Sequence, residues 1–104
     1  MEKKPTNLKL IPTKSMLLLL FKKNGEMGTI EATDKVFEAE GMKPTARWKW
    51  VIRFYMMEME INGMLVNVGY DIAPADYYGQ ENVVVGRYKI TKLGIERIDA
   101  VVTE

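Results

Sequence analysis

The chain has no cysteine and no histidine among its 104 residues. Disulfide bonds are therefore excluded, together with metal sites and catalytic centres that depend on either side chain. A lack of cysteine fits a cytoplasmic protein, because thiols are kept reduced there. No pattern for a cofactor is present, so we expect none to be bound.

Long apolar segments and a strong charge imbalance are also missing. The longest apolar run covers residues 16–21, whereas a membrane-spanning helix needs about 20 residues. The net charge is only +1, so any case for nucleic-acid binding must rest on where the charges lie. With 47% apolar and 28% charged residues, the composition predicts one folded domain over residues 1–104, with 1–11 flexible.

Helix start and stop signals divide the first part of the chain into three helices, over residues 14–23, 29–40 and about 44–62. Thr13 is a suitable N-cap for the first, and Pro44 suits the first helical position of the third, where a missing N–H costs nothing. The first helix is apolar on all sides and must be buried by its own domain or by a second subunit. The short turn between the second and third helices indicates a helix-turn-helix.

The third helix has more apolar surface than one core requires. At about 100° per residue, the predicted core stripe consists of Trp48, Val51, Ile52, Tyr55 and Met59. A second stripe, on the opposite side, consists of Trp50, Phe54, Met57 and Ile61. We expect the lower part of this second stripe to pack under the following hairpin or on a partner.

Two strands and a last helix follow. Residues 65–72 alternate as a strand, 73–82 form a turn-rich loop, and 83–90 return as a second strand. Thr91 caps a C-terminal helix. The order predicts an α+β winged helix-turn-helix: a three-helix core, a two-stranded wing with residues 26–28 as a candidate third strand, and a C-terminal helix.

Basic residues in the first half of the third helix make double-stranded DNA the leading ligand. Four of them lie within eleven residues with no acidic residue among them: Lys43, Arg47, Lys49 and Arg53. Because the guanidinium fork matches base edges and phosphates, Arg47 and Arg53 are the preferred candidates for either contact. Thr45 and the first helical N–H groups can bind a phosphate. The competing interpretation is a solvated face that keeps the protein soluble.

Trp50 and the wing supply further candidates. Trp50 is expected beside Arg53, where it packs on sugar or a thymine methyl or anchors a dimer; the alternative is a partly buried tryptophan. The wing loop has two acidic residues and no basic one, so its tip would be repelled by phosphates. Tyr78 can still donate a hydrogen bond to DNA, unless the loop packs upon itself. Arg87 and Lys89 are the expected phosphate contacts of the hairpin.

Catalysis is not expected. The carboxylates of Asp71, Asp76 and Glu81 lie around a loop, and no nucleophile with a base partner accompanies them. Gly79 and Gly86 do not form a phosphate-binding pattern between a strand and a helix.

Residues 13–98 resemble the winged-helix DNA-binding proteins of the MarR and PadR type, particularly small archaeal ones. The most specific piece is similar to their return strand, threonine cap and amphipathic last helix: Gly86-Arg87-Tyr88-Lys89-Ile90-Thr91-Lys92-Leu93-Gly94-Ile95-Glu96-Arg97-Ile98. The segment Asn24-Gly25-Glu26-Met27 is similar to their short first strand.

The resemblance implies a homodimer that binds specific DNA sites in the cytoplasm, on the nucleoid or on a plasmid. One branch consists of transcription regulators at pseudo-palindromic sites. The other resembles the AspA-type adaptors of archaeal plasmid partition, which bind a centromere-like site and spread along DNA in higher-order assemblies, in a complex with partner proteins.

A dimer is expected to form through the first and last helices. The alternative to DNA binding is a winged-helix module for protein–protein interaction, in which the stripe around Trp50 docks a partner. Retention on random duplex DNA that falls with salt would separate the two, because only phosphate contacts release counterions.

Overall fold

A computed structural model of the chain describes residues 12–102, with the backbone alone described at Val102. In chain order the elements are α1 (Lys14–Asn24), β1 (Glu26–Gly28), α2 (Thr29–Glu38), α3 (Ala46–Ile61), β2 (Leu65–Ile72), α4 (Ala75–Tyr78), β3 (Val84–Ile90) and α5 (Lys92–Val102). The expected flexibility of residues 1–11 lies outside the described residues. Within residues 12–102, no helix combines the length and the apolar character needed to cross a membrane.

Two threonine hydroxyls set where α1 and α3 begin. Thr13 Oγ1 accepts a hydrogen bond from the Met16 amide at 3.2 Å, as its position predicted. Thr45 Oγ1 does the same for the Trp48 amide, also at 3.2 Å. The helix α3 therefore begins at Ala46, and the prediction that Pro44 occupies its first turn is wrong. A hydroxyl satisfies an amide that the helix leaves unpaired, and proline has no such side-chain acceptor.

The three strands form one antiparallel sheet in the order β1-β3-β2. Asn67 is opposite Tyr88 and Gly69 is opposite Arg87, so Val68 is an extra residue in β2. This bulge reverses the inward and outward alternation along the strand. The regular alternation predicted for residues 65–72 is therefore wrong, because Val66 and Ile72 lie on opposite faces of the sheet.

The main core lies between α1, α2, α3 and the sheet. Its fully buried large side chains are Leu17, Phe21, Met27, Ile52, Met56, Met59, Leu65 and Ile98. Along α3, Met56 is buried in the core although the sequence pattern did not predict it. Val51, which the pattern did assign to the core, is only half-buried. Along α1, Leu19 stays 39% exposed. The domain thus buries only part of this helix.

The architecture confirms the α+β winged-helix prediction, with residues 26–28 as the third strand. Helices α2 and α3 form the helix-turn-helix, and β2 and β3 form the wing. One element was not predicted: the connection between β2 and β3 contains the short helix α4. Pro74 before it and Gly79 after it, with a φ of 77°, are ordinary helix-boundary residues that the sequence already contained.

Candidate nucleic-acid interface

The amino end of α3 and the turn before it present positive charge to solvent. The side chains of Lys43, Thr45 and Arg47 are all exposed. Within residues 12–102, neither the Lys43 side chain nor the Arg47 side chain makes a hydrogen bond or an ion pair. The hydroxyl oxygen of Thr45 caps the helix, but its O–H can still donate to a ligand. These three side chains therefore match their expected placement at an open surface.

Lys49 and Arg53 are held by the chain's own wing. The ammonium of Lys49 donates to the Tyr77 carbonyl at 3.1 Å and lies 4.3 Å from the centre of the Tyr77 ring. The Arg53 guanidinium donates to the Val84 carbonyl through Nη2 at 2.8 Å and Nε at 3.2 Å. A carbonyl oxygen is neutral, so both positive charges persist. The expectation that Arg53 points freely towards a groove does not match this geometry.

The helix α4 lies against α2 and α3 and makes the wing loop part of the fold. Tyr77 donates its hydroxyl hydrogen to Asp34 of α2 at 2.9 Å. The Tyr78 ring centre lies 4.8 Å from that of Trp50, and the Arg53 guanidinium lies 5.9 Å from the Trp50 ring. Trp50 is half-buried as a result. Trp50, the first residue of the second stripe, thus packs against the connection of the hairpin. Phe54 and Ile61, further along the stripe, stay exposed.

Tyr78 is not available to a ligand. Its side chain is 7% exposed, and its hydroxyl has no hydrogen-bond partner among the described residues. Burial raises the pKa of Tyr78 to about 12, although the nearby Arg53 charge acts in the opposite direction. Burial is also the main reason why the pKa of Tyr77 is raised, with the Asp34 carboxylate adding to it. This burial argues against the prediction that Tyr78 donates to DNA, because the ring is turned towards Trp50.

Arg87 and Lys89 lie on a different surface from the amino end of α3. Between them Tyr88 is buried in the core, so their side chains point to the opposite face of the sheet. Arg87 Nε lies 3.3 Å from Glu26 Oε2, and its Nη1 lies 3.8 Å from Asp71 Oδ2. Two carboxylates thus balance the Arg87 charge, which argues against its expected phosphate contact. Lys89 is exposed and can still contact a phosphate.

The basic surface is narrow. Asp34 and Glu38 of α2 share an open pocket of about 290 Å³ with Lys43 and Lys49. The wing loop adds the exposed Asp76 and Glu81, and the carboxyl end of α3 adds two more glutamates. Among the residues 12–102, no acidic cluster is suited to hold a metal ion. An anionic ligand is therefore attracted mainly to the first turns of α3 and the residues just before them.

Comparisons with known proteins bear on the fold. No protein-family model matches the chain, and no curated protein matches it significantly in sequence. A crystal structure of a proposed transcriptional regulator from Thermoplasma acidophilum is similar, with a TM-score of 0.56 and 16% sequence identity. The likeness covers 82% of this chain and 74% of that one. It supports the fold alone, and the resemblance to MarR, PadR or plasmid-partition proteins stays a prediction.

Proposed function

We propose that this protein binds double-stranded DNA through the amino end of α3, as a regulator without catalytic activity. The observation that carries the proposal is the exposure of Lys43 and Arg47, unpaired within residues 12–102, at the start of the second helix of a helix-turn-helix. A helix of this width fits the major groove, and its amino end also carries the positive end of the helix dipole.

The exposed side chains divide into two roles. Arg47 is the second residue of the helix and is the best candidate to contact a base edge, because its five donors form a fork. Lys43 precedes the helix, where a phosphate contact fits its single ammonium. Thr45 can donate a hydrogen bond to the same phosphate. These contacts would set the register of the protein on the duplex.

Three residues further along α3 have a supporting role: Lys49, Trp50 and Arg53. Lys49 and Arg53 hold the wing loop against α3, and their charges add to the positive field without needing to leave their carbonyl partners. Trp50 packs on the wing and supports it. Lys89 contributes a phosphate contact only where the hairpin lies along the duplex.

Salt dependence of binding to a random duplex tests the proposal. Each phosphate contact releases counterions, so log K should fall with log salt with a slope of about −0.9 per contact. Two to four contacts predict a slope between roughly −2 and −4. Absence of binding to any duplex at low salt, or binding that ignores salt, would overturn the proposal.

Footprinting on duplex DNA distinguishes the two biological roles that the resemblance implies, transcription regulation and plasmid partition. Regulation of transcription would give a short protected site of fixed length, as expected for a homodimer on a pseudo-palindrome. Plasmid partition would give protection that grows outward with protein concentration.

A second candidate function is the docking of a protein on α3. The specific observation is that Phe54, Met57 and Ile61 are exposed on the carboxyl half of the helix, where the neighbouring charges are Glu58 and Glu60. Such a surface repels phosphates and suits an apolar partner. Association through it would depend little on salt.

A further inference from the structure

An open pocket of about 290 Å³ lies where the helix-turn-helix meets the wing. Its walls come from α2, the turn after α2, α3 and α4, and we call it the turn pocket. Two carboxylates, two ammonium groups, an aromatic ring and a thioether line it: Asp34, Glu38, Lys43, Lys49, Tyr77 and Met42. The volume is close to the lower end of the range for small-molecule sites, so it suits a ligand about the size of an amino acid.

The opposite charges around the turn pocket do not neutralise one another. Within residues 12–102, no ion pair joins either ammonium group to either carboxylate. Lys49 instead donates to the Tyr77 carbonyl, and Asp34 Oδ1 accepts from the Tyr77 hydroxyl. Over the same residues, the side chains of Glu38 and Lys43 have neither a hydrogen bond nor an ion pair. An unpaired carboxylate and an unpaired ammonium thus line one cavity, and both keep their hydrogen-bonding capacity for a ligand.

The balance of charge in the turn pocket determines which class of ligand it suits. Two positive and two negative groups leave no net charge, so a simple anion or cation is attracted by one pair and repelled by the other. A zwitterion avoids this conflict, because its carboxylate can approach Lys43 while its ammonium approaches Glu38. A short methylene chain between the two ends would lie against the apolar part of the lining, which includes Met42.

We propose that the turn pocket binds small zwitterions in which an ammonium and a carboxylate are joined by a short apolar chain. Glu38 holds the ammonium and Lys43 holds the carboxylate. The spare donors of Lys49 and the second carboxylate oxygen of Asp34 add hydrogen bonds at the two ends. Because the walls come from three helices and a turn, the bound molecule bridges the helix-turn-helix to α4.

Occupancy of the turn pocket has a consequence for DNA binding, which rests on the proposed function. Lys43 is one of the two unpaired cations that are proposed to contact the duplex, and a ligand carboxylate on Lys43 competes with a phosphate. Occupancy should therefore weaken duplex binding and flatten its salt slope by about one, the value of one phosphate contact. A zwitterion adds no ionic strength, so this effect is separable from that of salt.

Titration of isotope-labelled protein with two zwitterions of different length, followed by amide chemical shifts, tests the site without DNA. We expect γ-aminobutyrate or ε-aminocaproate to cause saturable shifts around the turn pocket, with a dissociation constant in the millimolar range. Butyrate, caproate and the matching alkylammonium ions carry one charge each and should bind at least about threefold more weakly. Absence of saturable shifts with both zwitterions, shifts centred elsewhere, or equal binding of a singly charged compound would overturn the proposal.

Single charge removals test the two ends of the site. Glu38→Gln and Lys43→Gln should each weaken zwitterion binding by roughly twofold to fivefold, because each removes one exposed charge contact. Glu38→Gln also leaves the turn pocket with a net positive charge, so this variant should bind caproate more tightly than wild type does. A variant that merely lost structure would not show this change in selectivity.

The matched control for Glu38→Gln is Glu31→Gln. It removes the same charge from an exposed position of α2 that does not line the turn pocket, about 10 Å before Glu38 along the helix. Zwitterion binding by this control should match that of wild type. Equal weakening by Glu31→Gln and Glu38→Gln would refute the assignment of the ammonium to Glu38.

Duplex binding with and without the zwitterion separates this inference from the proposed function. In wild type the zwitterion should lower duplex affinity and flatten the salt slope, and it should have less effect in Glu38→Gln. Zwitterion binding without any change in duplex affinity would overturn the link between the turn pocket and DNA. If the protein binds no duplex at all, the proposed function fails, while the titration without DNA still decides the site.

Discussion

Two tyrosines that are neighbours in the chain have different hydrogen-bonding environments. The Tyr77 hydroxyl donates to Asp34 at 2.9 Å, whereas the buried Tyr78 hydroxyl has no partner among the described residues. We expect Tyr77→Phe to reduce the free energy of unfolding by about 1–2 kcal/mol, because it removes a hydrogen bond to a carboxylate. Tyr78→Phe should leave stability unchanged or raise it by up to about 1 kcal/mol, because it removes an unsatisfied polar atom.

Urea unfolding of the two variants at neutral pH measures this difference. The substitutions remove the same atom from adjacent positions, so each serves as the control for the other. Equal destabilisation by both would contradict the assigned environments.

Alkaline pH should destabilise the folded protein through the buried tyrosines. Burial raises the pKa of Tyr78 from 10.0 to about 12, so the unfolded chain releases this proton first as pH rises. The stabilising contribution is therefore complete below about pH 10 and is lost as pH approaches 12. Each such tyrosine contributes at most about 1.4 kcal/mol per pH unit. In this pH range the free energy of unfolding should fall less steeply with pH in Tyr78→Phe than in wild type. Identical slopes in the two proteins would contradict the raised pKa of Tyr78.

At the scale of elements, α5 is positioned by a close approach at Gly94. A Cβ atom there would lie 2.3 Å from the Met64 carbonyl oxygen and 2.7 Å from Ile90 Cγ1. We expect Gly94→Ala to reduce the free energy of unfolding by about 1–3 kcal/mol, because backbone has to move. Gly69→Ala is the control, since nothing lies within 4 Å of its added Cβ. Equal melting temperatures for Gly94→Ala and wild type would show that α5 is not packed this closely.

Local signals explain which elements could be predicted from the sequence. Thr13, Thr45 and the turn after α1 set boundaries through nearby atoms, so the helices and strands were predicted in the correct order. The Val68 bulge and the docking of α4 depend on atoms far along the chain. No pattern within β2 shows that Gly69, and not Val68, will face Arg87.

The candidate site also has features that the sequence shows and contacts that only the folded chain shows. The clustering of Lys43, Arg47, Lys49 and Arg53 is visible in the sequence, and so is the second apolar stripe. The carbonyl groups that hold Lys49 and Arg53 belong to the distant residues Tyr77 and Val84, which only the folded chain brings near. Likewise, the carboxylates that balance Arg87 come from two other strands.

On the scale of the whole molecule, the net charge is only +1, yet α3 has two surfaces of different charge. The amino end of α3 is cationic and open, and its carboxyl half is apolar with glutamates beside it. We propose that the first surface binds DNA. The second surface repels phosphates and suits an apolar partner.

Binding of a fluorescent random duplex, followed by anisotropy at several salt concentrations, tests the central claim most directly. The double variant Lys43→Gln/Arg47→Gln should bind more weakly than wild type and flatten the salt slope by about two, one for each lost contact. The control Lys92→Gln/Arg97→Gln removes the same charge from two exposed residues of α5. That helix begins beside Met64, about 24 Å from the amino end of α3, so the control should match wild type. Equal affinity and slope for all three proteins, or equal losses in both variants, would contradict DNA binding through the amino end of α3.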